Sequence, residues 1–248
     1  MDAEIALPGG NVGGAVRVGD TVRRATGAWT PAVHSLLNYL ADAGLTGLPR
    51  VLGFDDQGRE ILDYLPGTSY GPEVPDDVLA DAMRWLAGYH RVVASYRPKG
   101  EIVWRTSRGE LAADQIICMH DYGYYNWIGT ESGFSGVIDW DMAGAGVPLD
   151  DIAFTAWNTV PLALPMDPAY QAARLRLMAD AYGGDVFTPL QILEGAPIRA
   201  QRSARVIRAG QVAGDPGLLN LATVGEPGRT ERRLTDLRRR VPEIAAHL

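Results

Sequence analysis

Apolar positions along this chain change period three times. Residues 7–24, LPGGNVGGAVRVGDTVRR, hold two glycine pairs and then alternate, with Val16 and Val18 on one face. Gly19-Asp20 forms a tight turn, and Thr21-Val22-Arg23-Arg24 returns as a second strand. From Thr30 the spacing is helical. Thr30 suits the N-cap and Pro31 the first helical position, and Val33, Leu36, Leu37 and Leu40 share a face before a stop at Gly44. Residues 49–65 read as two strands around Asp55-Asp56-Gln57-Gly58. Pro66-Gly67-Thr68 breaks the pattern, and the proline-, glycine- and acid-rich stretch at 70–77 marks a lobe boundary.

Beyond that boundary helices dominate. Residues 75–96 form a long amphipathic helix with Val78, Met83, Leu86, His90 and Val93 near one face and Asp76-Asp77 at its positive end. His90 there reads as a buried structural histidine. His34, beside the first helical stripe, reads as partly buried and bonded locally. Helices are also expected over 152–183, around a break at Pro161–Pro165, and over 188–213 and 230–248. Trp157 is expected as a core anchor, and the arginines that alternate with apolar residues in the last two helices as solvated faces. The stretch Ile116–Asp151 is different. Ile116 and Ile117 run towards Asp121 and Asn126, and Val137 and Ile138 run into Asp139 and Asp141. Carboxylates drawn inward by such runs need a partner or a cation.

Composition narrows the choices. At 248 residues the chain can bury a core as one large domain or two lobes. A net charge of −7 disfavours nucleic-acid and anionic-membrane partners. No stretch approaches the roughly 20 apolar residues of a membrane span. The opening MDAEIALPGGN lacks the basic and apolar regions of a secretory signal. Cys118 is the only cysteine, so no intramolecular disulfide forms, and a cytoplasmic location is expected. Its apolar neighbours make it a small core residue. Lys99 is the only lysine.

Three motifs stand in order: Met119-His120-Asp121-Tyr122-Gly123-Tyr124-Tyr125-Asn126, Val137-Ile138-Asp139-Trp140, and Gly146-Val147-Pro148-Leu149-Asp150-Asp151-Ile152-Ala153. The combination resembles the aminoglycoside phosphotransferase family of kinase-like enzymes. That family carries an H-G-D-x-x-x-x-N loop, an I-D-W or I-D-F strand end and a G-D-P-x-x-D-L-A turn. The resemblance implies an α+β, bilobal protein-kinase-like fold. Residues 1–66 would form a small antiparallel-sheet lobe with one helix that holds nucleotide, and residues 67–248 a larger, mostly helical catalytic and substrate lobe. Asp121 matches the catalytic carboxylate, Asn126 and Asp139 the two metal ligands, and Asp151 a structural position. ATP or GTP with Mg²⁺ is the implied cofactor pair. The glycine hairpin, through Gly10, Asn11 and Gly13, would bring backbone amides to phosphate. His120 is a candidate for bracing the loop, and His120 and Asp141 for the surroundings of the metal or for contact with substrate.

The sequence departs from the family at three points. Arg24, by register, stands for the family's phosphate-contacting lysine, and arginine is bulkier and not a point charge. The helix at 30–43 offers no glutamate to pair with it, because Val33 or His34 falls at that place. The loop reads Met-His-Asp rather than His-Gly-Asp. The expected activity is Mg-dependent transfer of a nucleotide's γ-phosphate to a hydroxyl of a small molecule, aminoglycoside-like or other. The alternatives are a catalytically impaired kinase-like binding or immunity protein, and transfer to serine or threonine of a peptide. The sequence does not separate a monomer from a homodimer.

Overall fold

The computed structural model describes residues 3–7, 14–98 and 102–248. The alternating part of the chain forms one antiparallel sheet in the order β1-β2-β3-β5-β4. Its strands are β1 (Ile5–Ala6), β2 (Val16–Val18), β3 (Thr21–Arg24), β4 (Val51–Phe54) and β5 (Glu60–Asp63). The β2–β3 turn falls at Gly19-Asp20 as the pattern predicts, with Gly19 at φ 58°, a value glycine adopts without strain. The register pairs Val22 with Leu62 and Arg24 with Glu60. That second pair places a cation directly across from a carboxylate.

Helix α1 (Thr30–Asp42) packs Val33, Leu36, Leu37 and Leu40 into the core. Its cap differs from expectation, because the N-cap residue is Trp29 and Thr30 already lies in the first turn. A turn closed by Thr30 N donating to the Gly27 carbonyl runs straight into the helix, and the threonine hydroxyl accepts from Gly27 N at 2.9 Å. His34 also departs from the local bonding expected of it. Its Nε2 lies 2.7 Å from Glu60 Oε2, which is 26 residues away and across on β5.

After β6 (Thr68–Ser69), α2 (Asp76–Val93) crosses the interior with Leu79, Met83, Leu86 and Tyr89 fully buried. Two small antiparallel sheets follow. β7 (Ile116–Cys118) pairs with β10 (Gly144–Gly146), while β8 (Trp127–Thr130) lies between β6 and β9 (Gly133–Val137). These short strands around the segment 116–151 exceed what the sequence pattern predicts. Five helices complete the described chain: α3 (Pro148–Thr159), α4 (Pro168–Tyr182), α5 (Pro189–Ala213), α6 (Pro216–Asn220) and α7 (Gly228–Ala245). The break between α3 and α4 spans Pro161–Pro165, and Trp157 is buried as expected. The solvated-face reading fails for Arg199 of α5, which is only 5% exposed. Its guanidinium is turned inward over the Phe154 ring, 4.7 Å from the centroid, where a carbonyl accepts from it. No described helix is long and apolar enough to cross a membrane.

Two devices anchor the segment 116–151. The first is aromatic. Tyr122, Trp127 and Trp140 are buried to 2% exposure or less, and each directly follows Asp121, Asn126 or Asp139. Tyr122 stacks on Trp85 of α2 at 5.8 Å, and its hydroxyl donates to the Ala82 carbonyl at 2.7 Å. Trp140 meets Tyr89 edge-on at 5.4 Å. Each polar residue therefore sits one position from a side chain that the core cannot release cheaply. The second device is Asp151 on α3, which has no solvent exposure. It accepts from Met119 N at 2.9 Å and His120 N at 2.7 Å, and His90 Nε2 lies 3.1 Å away. The other ring nitrogen of His90 meets the Tyr182 hydroxyl at 2.7 Å, so α2, α3, α4 and the loop after β7 share one buried network. His90 and Asp151 are structural, as their sequence positions imply.

Burial alone would raise the Asp151 carboxyl, but the hydrogen bond and charge of His90 and the two amides hold it below the ordinary range. A carboxyl depressed in the fold stabilises fully above its unfolded pKa of about 3.9, and that stability is lost as pH falls. Asp151→Asn is expected to cost about 3 kcal/mol at pH 7. It should also flatten the loss of stability below about pH 4. Urea unfolding at neutral and acid pH checks both, and a variant with wild-type stability at pH 7 contradicts this role.

Candidate active site

The backbone brings the proposed metal ligands together. β8 and β9 pair Trp127 with Val137, and one residue further on Ile138 N donates to the Asn126 carbonyl at 2.9 Å. Regular pairing ends there, at Val137, two residues before Asp139. Asp139 and His120 are the only non-glycine residues with positive φ among those described, both at 60°. Such backbone costs about 1–3 kcal/mol and persists where surrounding bonds enforce it. For His120 the enforcement is visible. Its amide donates to Asp151 Oδ1, its ring Nε2 donates to the Ala145 carbonyl at 3.1 Å, and its own carbonyl accepts from Arg199. His120 thus braces the loop from the β10 side. Burial pushes its imidazole below the ordinary range, which suits a neutral ring.

Asp121 faces Asn126 and Tyr125. Asn126 Nδ2 donates to the Asp121 carbonyl and to its Oδ2, both at 3.0 Å, and the Tyr125 hydroxyl donates to Oδ1 at 2.5 Å. With its nitrogen so used, the Asn126 side-chain oxygen is left to meet other groups. Burial, and then the charge of Asp139, push the Asp121 carboxyl up to about 7 against these two hydrogen bonds. A carboxylate poised there can take a proton from a hydroxyl near neutral pH.

Arg24 is the hub of the sheet side. Its Nε lies 2.8 Å from Glu60 Oε1, its Nη1 is 3.4 Å from Asp139 Oδ1, and its Nη2 pairs with Asp141. Burial works against its charge, but Asp139, Asp141 and Glu60 outweigh it and keep the guanidinium firmly ionised. Glu60 is in turn held by His34 of α1. The glutamate missing from the helix is therefore supplied by the neighbouring strand, and the helix reaches it through a histidine. Asp141, a candidate for the surroundings of the metal or for substrate, is buried between Arg24, which also touches Asp139, and Arg105, whose Nη1 is 3.7 Å away. Arg105 also pairs with Asp215 before α6 and lies over the Trp29 ring. Arg23 points away, towards Asp55. Gly10, Asn11 and Gly13 lie outside the described residues.

Sequence reasoning missed Glu60, Tyr125, Arg105 and Arg199. Glu60 had a signal in the strand register opposite Arg24, whereas Arg105 and Arg199 depend on long-range packing. The donor set Asn126 and Asp139 consists of oxygens, and the Asp139 side chain is 40% exposed. Three carboxylates here face two guanidiniums, one of them shared with Asp215. Hard oxygen donors in a negative field fit a hard divalent cation. A second grouping, His90, Cys118 and Asp151, has its ligand atoms within 4.8 Å of one another. Every one of those atoms already has a protein partner, including the Cys118 thiol, which donates to the Val147 carbonyl.

Arg24→Met should leave three carboxylates short of their shared cation and cost about 3 kcal/mol. Adding Asp141→Asn should recover part of that loss, because the two positions are in contact. Denaturant unfolding of both single variants and the pair measures the coupling, and strictly additive losses contradict the shared cluster.

Residues 101–184, which include the Asp121 loop, match the phosphotransferase enzyme family. The trifolitoxin immunity protein of Rhizobium leguminosarum bv. trifolii is 30% identical over 197 residues, which cover 74% of this chain and 75% of that protein. Among solved structures, an amicoumacin kinase in complex with AMP-PNP, Ca²⁺ and Ami superposes with a TM-score of 0.65 at 12% identity, covering 97% of this chain and 88% of that one. The GDP complex of aminoglycoside 2'-phosphotransferase-IIIa gives 0.58 at 13% identity, covering 98% and 93%. A choline/ethanolamine kinase family protein from Mesorhizobium loti gives 0.57 at 16%, covering 96% and 93%. These likenesses establish a kinase-like α+β fold. By its matched segment 101–184, and by a relative that it follows along about three quarters of both chains, this chain belongs to the phosphotransferase enzyme family.

Proposed function

We propose that the chain transfers the terminal phosphoryl group of ATP or GTP to a hydroxyl of a small molecule, using Mg²⁺ and acting in the cytoplasm. The observation that carries this reading is Asp121. Its carboxylate is fixed by Asn126 and Tyr125, raised to about 7, and set beside Asp139. In phosphoryl transfer little covalent work falls to the protein, and positioning and charge stabilisation do most of it. In this reading the acceptor hydroxyl hydrogen-bonds Asp121 and passes its proton to that carboxylate. The hydroxyl oxygen bonds to the terminal phosphorus, and the bond from that phosphorus to the bridging oxygen breaks, releasing the nucleoside diphosphate. Asn126 Oδ1 and the Asp139 carboxylate would hold the cation. The chemistry it supplies there is neutralisation of charge on the phosphate oxygens. Arg24, on the sheet formed within residues 1–66, is assigned to the phosphates, with Gly10, Asn11 and Gly13 as their backbone cradle. Residues 67–248 are assigned to catalysis and acceptor binding. Glu60 and His34 would orient Arg24, as a carboxylate on the helix does where the cation is lysine.

A second reading draws on the relative named as an immunity protein. Here the chain confers protection, either by phosphorylating a toxic molecule or by binding it without transfer. A peptide serine or threonine is then a possible acceptor, since its hydroxyl meets the same requirement at Asp121.

Thermal melting with Mg-ATP and Mg-GTP should show stabilisation by at least one nucleotide, and Asp139→Asn should remove the part that depends on magnesium. No stabilisation by either nucleotide contradicts the reading. Asp121→Asn should keep nucleotide binding while lowering transfer about 10²–10⁴-fold, the range for loss of a general base. A mass-shift screen against hydroxylated small molecules and serine- or threonine-containing peptides measures transfer and names the acceptor class. If Asp121→Asn transfers at the wild-type rate, Asp121 is not the base.

A further inference from the structure

A cavity of about 450 Å³ lies between the N-terminal end of α3 and the middle of α5. Arg199, Arg202 and Arg205 recur every third residue along α5 and all line it, together with Ile198, Gln115 and Asp150. Like charges at that spacing repel, so their convergence opposes helix stability unless something offsets it. Asp150 offsets one, through Arg202 Nη1 at 2.7 Å. Arg205 is exposed and pairs with no described residue. Arg199 is buried, and its two terminal nitrogens donate to the His120 carbonyl and to Ser203 Oγ, while its Nε has no acceptor. A protein of net charge −7 thus concentrates three guanidiniums against one carboxylate in a single concave place. Ile198 is 70% exposed on the same face, an apolar group beside the charged ones.

We propose that this cavity binds the oxyanion head, carboxylate or phosphate, of an organic ligand with an apolar body. Guanidinium groups present parallel N–H donors that match both heads, and they bind them more strongly than neutral donors do. Arg205 is free to engage, Arg202 can exchange Asp150 for the ligand, and Ile198 receives the apolar part. Arg199 ties the cavity floor to the residue before Asp121, so an occupant bears on the catalytic loop. The site stands whether or not the chain transfers phosphate.

Isothermal titration of the full chain with phenyl phosphate, benzoate and inorganic phosphate tests the proposal. Phenyl phosphate or benzoate should bind saturably, and the tighter of the two identifies the head. The double variant Arg202→Gln/Arg205→Gln alters exposed side chains only and should weaken that binding about tenfold or more. Ile198→Ser should weaken the organic anion while leaving inorganic phosphate unchanged. Asp139→Asn, at the proposed metal site, should leave all affinities as they are. Melting without ligand checks that each variant folds. The proposal is overturned if neither organic anion binds saturably, or if the double arginine variant or Ile198→Ser binds it as wild type does. Loss of binding in Asp139→Asn also overturns it, because the anion would then occupy the nucleotide cleft.

Discussion

One buried carboxylate sets the geometry of the segment that carries Asp121. Asp151 has no contact with water, so every interaction it makes must be supplied by protein. It draws Met119 N and His120 N to its two oxygens and sets the approach of the chain to Asp121. His120 can then hold a left-handed backbone, because its amide, ring and carbonyl are each bonded to a different element. The strain at one residue costs about 1–3 kcal/mol. Three buried hydrogen bonds, two of them to charged groups, exceed that cost. The loop conformation is therefore a consequence of the helix behind it.

The sheet side obeys a different balance. In protein kinases a strand lysine and a helix glutamate form the clamp, and neither stands at these positions here. On β3 the cation is Arg24, which pairs with Glu60 of the adjacent strand, and His34 links Glu60 to α1. The guanidinium is large enough to touch Glu60, Asp139 and Asp141 together. Such a fork fixes Asp139 more rigidly than a point charge could, and it ties the proposed phosphate-binding residue to a proposed metal ligand. Arg105 extends the same network to Asp215, so the segment before α6 is coupled to the Arg24 cluster.

Much of this was legible in the chain. Alternation and helical spacing located the five-stranded sheet's main strands and the long helices, because each presents a single apolar face to the core. Asp121, Asn126 and Asp139 were legible through the apolar runs that lead into them and the family motifs they match, and the structure brings all three into one neighbourhood. What the sequence could not reveal were partners distant along the chain. Glu60 lies 36 residues beyond Arg24 and meets it only through the β3–β5 register. The assignment of arginines to solvated faces failed at Arg199 for a similar reason. Periodicity reports which face of a helix is apolar, but not that a buried carbonyl of another loop awaits a donor there. The sequence put Asp141 close to Asp139, but not the two arginines from separate regions that hold it.

The central claim is that Asp121, Asn126 and Asp139 form a site that breaks the terminal phosphate bond of a nucleotide. Its most direct measurement needs no knowledge of the acceptor. Water can stand in for the hydroxyl, so single-turnover release of labelled phosphate from γ-labelled ATP and GTP can be followed on the wild-type chain with magnesium. The account predicts slow release that disappears on chelation of the metal and in a variant lacking the Asp121 carboxylate. Nucleotide bound tightly with no release above the uncatalysed rate, or release indifferent to Asp121, contradicts it.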